Sequence, residues 1–444
     1  MIIDLSQRIE AHWAWDTFPL VSQSYEDGDE FQEFGLRWSG QGFTYASSPG
    51  WKIKGEPSLD DLPISNFVGM ASVINLSNSN QGHQITPGQL IESFSDELRP
   101  IVLLRTGHAL MTPIRRREYW SESVKLSPAI ADFLAERGVV NVCVDFSCDC
   151  IPSRRSDTTG GIYNFNEDFR SRAHSHGMVV TENLIIPSDL PKEAFVFALP
   201  LRGQGFTTSL TRPVALSKWP SENPTIYDVS TPYMNHWRWR LELWQTITQT
   251  PFEDRTEFIQ MGHAYTHCDA PRHMNKNGCT IQELSGGGLD LFIGPTWIVD
   301  LSDLVLPTQI TRDLLISRAG NPPIGSSIIL RTDLTNKLGY SSTRWHLDAP
   351  NLQIDAAKWL ISKKPSAICL DFPQDFIARE MPGRHVFNKE FTTHHTVFDA
   401  GIPFVEDLRD LGEIKRKDPY LAAIPLKMTC VDGAPMRAII LDWG

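Results

Sequence analysis

The stretch His263-Ala-Tyr-Thr-His-Cys-Asp-Ala-Pro-Arg-His273 places three imidazoles and one carboxylate within eleven residues. Nitrogen and oxygen ligands at such short spacing suit a divalent metal ion. Pro271 argues against a continuous helix, because the residue before a proline avoids the helical region of backbone space. We therefore predict an extended or looped segment that carries a metal centre, since functional residues concentrate on loops. The alternative is a surface loop without a metal, which the crowding of ionisable side chains disfavours.

The spacing of this segment resembles a family signature. His263-x-x-Thr266-His267-x-Asp269-x-Pro271-x-His273 is similar to the H-x-G-T-H-x-D-x-P-x-H motif of the cyclase-like metal-dependent hydrolases, which include bacterial kynurenine formamidases and isatin hydrolases. We predict that His263, His267 and Asp269 bind the metal, and that His273 transfers protons. Tyr265 stands where the family has glycine, and we expect its phenol beside the metal, in contact with the substrate.

A second group of ligands lies far along the chain. In the family, a histidine and a glutamate twelve positions later complete the metal site, and His394 and Glu406 have this spacing. The histidine falls in a helix predicted at 391–400, which Gly401 should stop. Adjacent helical residues differ by about 100° in direction, so His395 should face elsewhere. The resemblance thus implies five ligands, with Zn²⁺ or Mn²⁺ bound as one or two ions.

The chain also repeats itself at an offset of 222–226 residues. Ile3-Asp-Leu-Ser followed by His12-Trp-Ala-Trp recurs as Tyr227-Asp-Val-Ser followed by His236-Trp-Arg-Trp. Further matches keep the same order, among them Leu103-Leu-Arg-Thr with Ile329-Leu-Arg-Thr and Val144-Asp-Phe with Leu370-Asp-Phe. We interpret this as a tandem duplication, with copies at 1–217 and 225–444 and a proline-containing linker at 218–224.

Short apolar runs alternate with helical patterns in the second copy. Alternating strands and helices predict an α/β domain, and the resemblance implies the swivelling β/β/α fold of the family for both copies. A helix is predicted at 353–363, with Ile354, Ala357 and Ile361 on one face. Buried strands are predicted at 296–301, 326–330, 367–370 and 437–441.

The first copy keeps the repeat pattern but not the metal ligands. Arg170 stands opposite His394, although Glu182 is retained opposite Glu406. The side chains opposite the metal motif carry amide, phenol, hydroxyl and indole groups. The first three are poor ligands for a zinc-like ion, and an indole cannot act as a ligand. We therefore predict that the first copy is degenerate and that metal binds only in the second. Opposite the four residues of the metal motif, the first copy has Gln41, Tyr45, Ser47 and Trp51.

Composition excludes several kinds of partner. A net charge of −12 disfavours nucleic acid and anionic membranes. No long apolar run or basic-then-apolar start is present, and the seven cysteines are scattered, so we expect a cytoplasmic protein with reduced thiols. The expected partner is a small-molecule substrate, and a homo-oligomer of intramolecular pseudo-dimers is left open.

Three functions are consistent with these features. The first is a hydrolase that uses a metal-activated water to open an amide, lactam, formamide or ester of an aromatic substrate. The second is a metal-dependent lyase or cyclase that dehydrates or closes a ring on a biosynthetic intermediate. The third is a non-catalytic metal-binding scaffold, which the complete ligand set disfavours.

The walls of the pocket are a separate prediction. Trp237 and Trp239 are candidates for substrate contact, although tryptophans at this spacing also occur in cores and interfaces. Because pockets of the family are completed by a neighbouring subunit, the first copy could supply that neighbour within one chain. Trp13, Trp15 or the loop 45–51 would then form part of the wall.

Overall fold

The fold is seen in a computed structural model of the chain. The predicted linker 218–224 includes residues 220–222, which lie outside the described residues. The structure describes all of the chain except residues 14, 39, 78–83, 95–96, 149–165, 220–222, 250–251, 374, 430 and 444.

The chain divides into two compact units whose boundaries do not simply follow the repeat. The first unit comprises Met1–Phe18, Arg37–Ser221 and Leu243–Phe258, and the second comprises Pro19–Leu36, Glu222–Glu242 and Ile259–Gly444. The main division near residue 221 falls within the predicted linker. Each unit also contains a segment of about 16–18 residues that the repeat assigns to the other copy.

The first copy folds around a nine-stranded mixed sheet. Its helices are α1 Pro87–Ile91, α2 His108–Met111, α3 Glu118–Ser121, α4 Ala129–Ala135 and α5 Asn166–Ser175. Its strands are β1 Ile2–Asp4, β2 Phe18–Gln23, β3 Glu33–Trp38, β4 Tyr45–Ser47, β5 Val68–Asn75, β6 Gln84–Ile85, β7 Ile101–Arg105, β8 Lys125–Leu126, β9 Asn141–Val144, β10 Val179–Glu182, β11 Glu193–Phe197, β12 Thr208–Leu210 and β13 Val214–Leu216. The order in the sheet is β1-β13-β11-β5-β7-β9-β10-β4-β12, and β6 pairs with β8.

The second copy repeats this plan around an eight-stranded sheet. Its helices are α6 Leu289–Phe292, α7 Arg312–Ala319, α8 Leu334–Leu338, α9 Thr343–Leu347, α10 Ile354–Ser362 and α11 Thr392–Phe398. Its strands are β14 Thr225–Asp228, β15 Leu241–Gln249, β16 Phe252–Met261, β17 His267–Asp269, β18 Ile293–Asp300, β19 Gln309–Ile310, β20 Ser327–Arg331, β21 Asn351–Leu352, β22 Ile368–Leu370, β23 Phe404–Glu406, β24 Tyr420–Pro425 and β25 Gly433–Asp442. The order is β14-β25-β17-β23-β22-β20-β18-β24, with β24 also paired to β25.

The duplication extends to individual hydrogen bonds. In the first copy, the buried Asp145 carboxylate accepts from the backbone N–H of Thr106 and from its hydroxyl, at 3.0 and 2.5 Å. In the second copy, Asp371 accepts from Thr332 in the same way, at 2.9 and 2.7 Å. The tandem duplication and the α/β fold class are therefore confirmed.

The predicted elements of the second copy are present, with one error of detail. The strands lie within one to four residues of the predicted bounds, and the predicted helices correspond to α10 and α11. The predicted buried face of α10 is partly wrong: Ala357 is buried as predicted, but Ile354 is 40% exposed, and Ala356 and Leu360 are also buried. Within the described ranges, no helix has the length and apolar character needed to cross a bilayer.

Candidate metal centre and active site

Pairing of two short strands brings the first ligands together. In the antiparallel register of β17 and β23, His267 lies directly opposite Glu406. Side chains alternate along a strand, so His267 and Asp269 share a face while Cys268 points the other way. Accordingly, His267 Nε2 lies 3.2 Å from Asp269 Oδ1 and 4.0 Å from Glu406 Oε2, and the Cys268 thiol faces the carbonyl of Ala434.

The turn before β17 fixes the orientation of His267. Tyr265 has a φ of +60°, a left-handed conformation that glycine adopts without cost. This backbone turn aims the Tyr265 carbonyl at His267 Nδ1, which donates to it at 2.7 Å. Nδ1 therefore carries the proton, and the lone pair of Nε2 is directed at the carboxylates.

The side chain of Tyr265 is not where the sequence placed it. It is fully buried, packs against Tyr233, and donates its hydroxyl proton to the carbonyl of Met234. Tyr265 is not among the residues that line the cavity at this site. Its position does not support the predicted contact with substrate, because the strained backbone turns the phenol into the core.

His394 reaches the same site from helix α11. The carboxylate of Asp375 accepts from the backbone N–H groups of Thr393 and His394, and from His394 Nδ1 at 2.7 Å. His394 Nε2 is thereby directed at Glu406 Oε1 and Asp269 Oδ2, at 3.7 and 3.9 Å. A carboxylate behind a histidine is the usual support of a metal ligand. His395 instead contacts Asn388, as expected for a residue that faces elsewhere.

Asp432 was missed from the sequence, and it joins two histidines of the motif. Its Oδ2 accepts from His263 Nε2 at 2.6 Å and from His273 Nδ1 at 2.8 Å, and its side chain is fully buried. His263 Nδ1 then faces Asp269 Oδ1 at 2.7 Å. A Cβ on Gly433 would lie 2.7 Å from the His263 ring, so the Asp-Gly pair allows this close approach. No spacing rule links position 432 to the motif, although an acidic residue before glycine at the start of a strand was a visible signal.

The buried charges of this cluster are incompletely balanced. Burial opposes a charge on His267, but the Asp269 carboxylate outweighs it and raises the pKa of His267 to about 9. Burial likewise opposes a charge on His394, yet Asp269 and Asp375 raise its pKa to about 10. Burial and the charge of Asp269 raise the pKa of Glu406 to about 7. The cluster therefore retains protons at neutral pH, and ligands of this kind release protons when a metal binds.

The donor set fits a divalent ion. Three groups of side chains have ligand atoms within 4.8 Å of one another: His263, His267 and Asp269; Asp269, His394 and Glu406; and His263, His273 and Asp432. Within the described part of the chain, Glu406 Oε1 is buried without a hydrogen-bond partner. A buried carboxylate oxygen without a partner is unusual and is consistent with an ion as its partner. Asp269 belongs to two of the groups. This arrangement is compatible with a single ion, or with two ions that share Asp269 as a ligand.

The ligands open onto a cavity of about 1070 Å³, whose lining residues all belong to the second unit. Trp237 and Trp239 line it, as predicted, and Trp237 is 44% exposed. His273 also lines the cavity, and its ring stacks on that of His263 with centroids 3.8 Å apart. The cavity is large enough for a drug-sized aromatic molecule.

Residues 19–36 contribute part of this cavity, although they come from the first copy. The Tyr25 hydroxyl donates to the carbonyl of His273 at 3.0 Å, and the Gln32 carbonyl lies 3.2 Å from His273 Nδ1. The ring of Phe34 packs edge-on against His263. The second copy alone would lack these contacts. Further cavity-lining residues of this segment are Gln23, Gly28, Asp29, Glu30, Phe31 and Glu33.

The wall residues predicted from the first copy lie in the first unit. Trp13 and Trp15 pack against Trp120 within the first unit. The loop 45–51 also lies in the first unit, where Trp51 donates to Glu253. The segment of the first copy that contributes to the cavity within the second unit is 19–36.

In the first copy, an arginine occupies the position of a metal ligand. Arg170 Nη1 lies 2.9 Å from Glu182 Oε1, and both side chains are almost completely buried. The same nitrogen donates to the Tyr45 hydroxyl at 3.1 Å, and the guanidinium lies over the Trp51 ring, 4.2 Å from its centroid. A fixed positive charge thus compensates the glutamate whose counterpart in the second copy, Glu406, belongs to the candidate metal centre.

We expect the substitution Arg170→Met to destabilise the first unit by about 3–5 kcal/mol, because it removes the positive charge that pairs with the buried Glu182 carboxylate. Chemical denaturation followed by tryptophan fluorescence measures this. The double variant Arg170→Met/Glu182→Gln should recover most of the loss. Arg172→Met is the matched control, since it lies on the same helix and its ion pair with Asp132 is solvent-exposed. An Arg170→Met protein as stable as this control would contradict the compensation.

Comparisons with known proteins match both copies to one family. The Cyclase family model matches residues 3–149 and 208–374, largely one segment in each copy. Kynurenine formamidase of Bacillus thuringiensis subsp. konkukian is 26% identical over 229 residues, which are 51% of this chain and 91% of that protein. Kynurenine formamidase of Bordetella petrii is 25% identical over 222 residues, 49% of this chain and 92% of that protein. Isatin hydrolase A from Ralstonia solanacearum, a solved structure, is 18% identical with a TM-score of 0.40, and the match covers 49% of this chain and 92% of that chain.

Proposed function

Because the chain belongs to the Cyclase family, we propose that its second unit is a metal-dependent hydrolase that opens a C–N bond in a small aromatic substrate. Formamides, amides and lactams are the substrate classes, and esters share the same chemistry. Relatives of this chain are kynurenine formamidases, and a formamidase activity supports an amide-type bond. The observation that carries the proposal is the placement of His273, beside the ligand cluster and at the wall of the cavity.

Five residues would hold the ion, and two further carboxylates orient them. Zn²⁺ and Mn²⁺ suit the mixture of imidazole and carboxylate ligands. When bound, such an ion activates water and polarises a carbonyl. Asp375 keeps His394 Nε2 directed inward, and Asp432 does the same for His263 Nδ1. The ligands would be His263, His267, Asp269, His394 and Glu406.

The protein itself supplies the proton relay. His273 Nδ1 donates to Asp432 Oδ2 and lies near the Gln32 carbonyl, so its proton is held on this nitrogen. Nε2 is then the basic nitrogen of the neutral ring, and within the described residues it makes no hydrogen bond. A base with this orientation can accept a proton from water as it attacks the carbonyl and return it to the leaving amine.

The cavity offers surfaces that can orient a substrate. The tryptophans at positions 237 and 239 offer flat apolar surfaces for an aromatic ring. Phe31 and Phe391 pack edge-on against each other and also line the cavity. These rings would position the scissile bond near the ligands, which accounts for an aromatic substrate.

The proposal is tested with metal-loaded full-length protein on formanilide, an aryl lactam and an aryl ester. We expect hydrolysis of at least one C–N substrate, and its loss after chelation and return with Zn²⁺ or Mn²⁺. His395→Gln is a control with a histidine that contacts Asn388 and does not line the cavity. Stoichiometric metal binding without hydrolysis of any of these substrates would contradict the proposed function.

A further inference from the structure

A tryptophan of the cavity wall is joined by hydrogen bonds to the residue that follows a proposed metal ligand. Trp239 Nε1 donates to the Tyr340 hydroxyl at 2.9 Å, and this hydroxyl donates to Asp407 Oδ2 at 2.8 Å. A phenol has a single proton, so the order indole, phenol, carboxylate fixes the direction of both bonds. Asp407 directly follows Glu406, and it lines the cavity as Trp239 does, whereas Tyr340 is only 3% exposed. Tyr340 therefore links the aromatic wall to the ligand strand from behind the cavity surface.

Tyr340 also holds the backbone of the tryptophan segment. His236 Nε2 donates to the Tyr340 carbonyl at 3.0 Å, so Nδ1 of this ring is the acceptor. The backbone N–H groups of Arg238 and Trp239 donate to that Nδ1 at 3.2 and 3.4 Å. Burial lowers the pKa of His236, which keeps the ring neutral and able to play both parts at neutral pH. Tyr340 thus fixes both the main chain and the indole of Trp239.

The other end of the link is held as firmly. The backbone carbonyl of Asp407 accepts from the hydroxyls of Thr231 and Thr266, at 2.7 and 2.8 Å. Thr266 directly precedes His267 of the ligand cluster, and its hydroxyl accepts from the backbone N–H of Thr231 at 2.7 Å. The carboxylate that accepts from the phenol is therefore attached to the same hydrogen-bonded network as the ligands.

The first copy keeps the tryptophan and lacks the link. Equivalent hydrogen bonds fix the alignment of the copies here. His12 Nε2 meets the carbonyl of Ile114 at 3.0 Å, as His236 meets that of Tyr340. Thr44 donates to the carbonyl of Asn183 at 3.0 Å, as Thr266 donates to that of Asp407. Opposite Trp239, Tyr340 and Asp407, the first copy has Trp15, Ile114 and Asn183. The phenol and the carboxylate thus occur together in the copy that carries the ligand cluster, which points to a role at that site.

Taking the proposed hydrolase function as its basis, we propose that Tyr340 is a positioning residue, which holds the Trp239 indole at a set angle and distance from the metal ligands through its hydrogen bond to Asp407. The indole offers a flat surface on which an aromatic ring of the substrate would lie. The link thereby places the scissile bond relative to the ligands, and small displacements of a reacting group lower rates strongly. A saturated ring of the same size depends less on the plane of an indole, so the effect should be specific to aromatic compounds.

The substitution Tyr340→Phe tests this, because it removes the hydroxyl and keeps the ring. Titration calorimetry on the metal-loaded full chain compares benzamide with cyclohexanecarboxamide. We expect Tyr340→Phe to retain its metal and to bind benzamide at least about 10-fold more weakly, with the saturated amide unchanged. The kcat/KM for formanilide should fall by a similar factor, while that for N-cyclohexylformamide stays constant. Tyr227→Phe is the matched control, because Tyr227 is half-buried in β14 and does not line the cavity.

A spectroscopic measurement reports the link itself. In a ¹H–¹⁵N spectrum of the full chain, the indole cross-peak of Trp239 is identified by its absence from Trp239→Phe. This peak should move upfield in Tyr340→Phe and stay in place in Tyr227→Phe, because a hydrogen bond deshields the indole proton. A Trp239 peak that does not move in Tyr340→Phe overturns the inference.

The binding and kinetic outcomes are equally decisive. Equal losses for aromatic and saturated compounds, no loss for either, or a wild type that does not bind benzamide would overturn the inference. If Tyr340→Phe does not fold, Asp407→Asn at equal metal loading decides, because it gives the other end of the link the residue of the first copy. Selective loss of benzamide then supports the inference, and unchanged benzamide binding overturns it. If benzamide binding depends on Tyr340 but the wild type hydrolyses neither formamide, the positioning role stands and the proposed hydrolase is rejected.

Discussion

Purified Asp269→Asn protein should contain almost no bound metal and should hydrolyse C–N substrates at least about 10²–10³-fold more slowly than wild type. Asp269 contributes to two of the three clusters of ligand atoms, so its loss weakens both at once. Its Oδ1 lies 3.2 Å from His267 Nε2 and its Oδ2 lies 3.9 Å from His394 Nε2. Asparagine keeps the shape of the side chain and removes the charge. Elemental analysis of the dialysed protein, together with turnover, measures the effect.

A second aspartate serves as the control. Asp399 is exposed at the end of helix α11, where its carboxylate accepts from the side chain of Asn275. Asp399→Asn should keep wild-type metal content and turnover, and both variants should melt as folded proteins. An Asp269→Asn protein that retains its metal would show that the ion is held elsewhere. Metal remaining at half the wild-type content would instead indicate that one of two ions does not depend on Asp269.

The sequence predicted those parts of the site that depend on local spacing. His267 and Asp269 share a face because strand residues alternate, and this follows from a spacing of two. The side chains of His394 and His395 point in different directions because adjacent residues of a helix differ by about 100°. The duplication was also visible, since Asp145 and Asp371 occupy equivalent places and each anchors the threonine after a strand.

Other parts depend on contacts distant in the chain. Asp432 lies 159 residues from His273, and Asp375 reaches His394 only because a loop folds back onto the start of helix α11. The sequence pattern does not show that residues 19–36 belong to the second unit. The alternation of side chains along a strand is the same whichever sheet the strand joins. The buried face of α10 was partly misjudged for a similar reason: Ala356 is buried and Ile354 is 40% exposed, and no composition rule ranks an alanine above an isoleucine.

His273→Gln should retain its metal and lose about 10²–10⁴-fold in turnover, the usual contribution of a general acid–base residue. The geometry argues for proton transfer because Nδ1 is occupied by Asp432 at 2.8 Å, which leaves only Nε2 for chemistry. Glutamine preserves a hydrogen bond to Asp432 but cannot accept and return a proton at neutral pH. Stacking of the ring on His263 fixes its plane, so the loss should appear in kcat more than in KM.

His273 also belongs to a cluster with His263 and Asp432 that could hold an ion, and metal analysis separates the two roles. Loss of metal from His273→Gln would make this residue a ligand and would assign the proton relay to another group. Metal retained with full turnover would leave it without a catalytic role. Asp432→Asn gives a further comparison at equal metal content, because it removes the charge that fixes the His273 tautomer and leaves the imidazole in place; metal content is measured as well, since Asp432 also orients His263. If His273 is the proton relay, Asp432→Asn should lower kcat less than His273→Gln does, since the base itself remains.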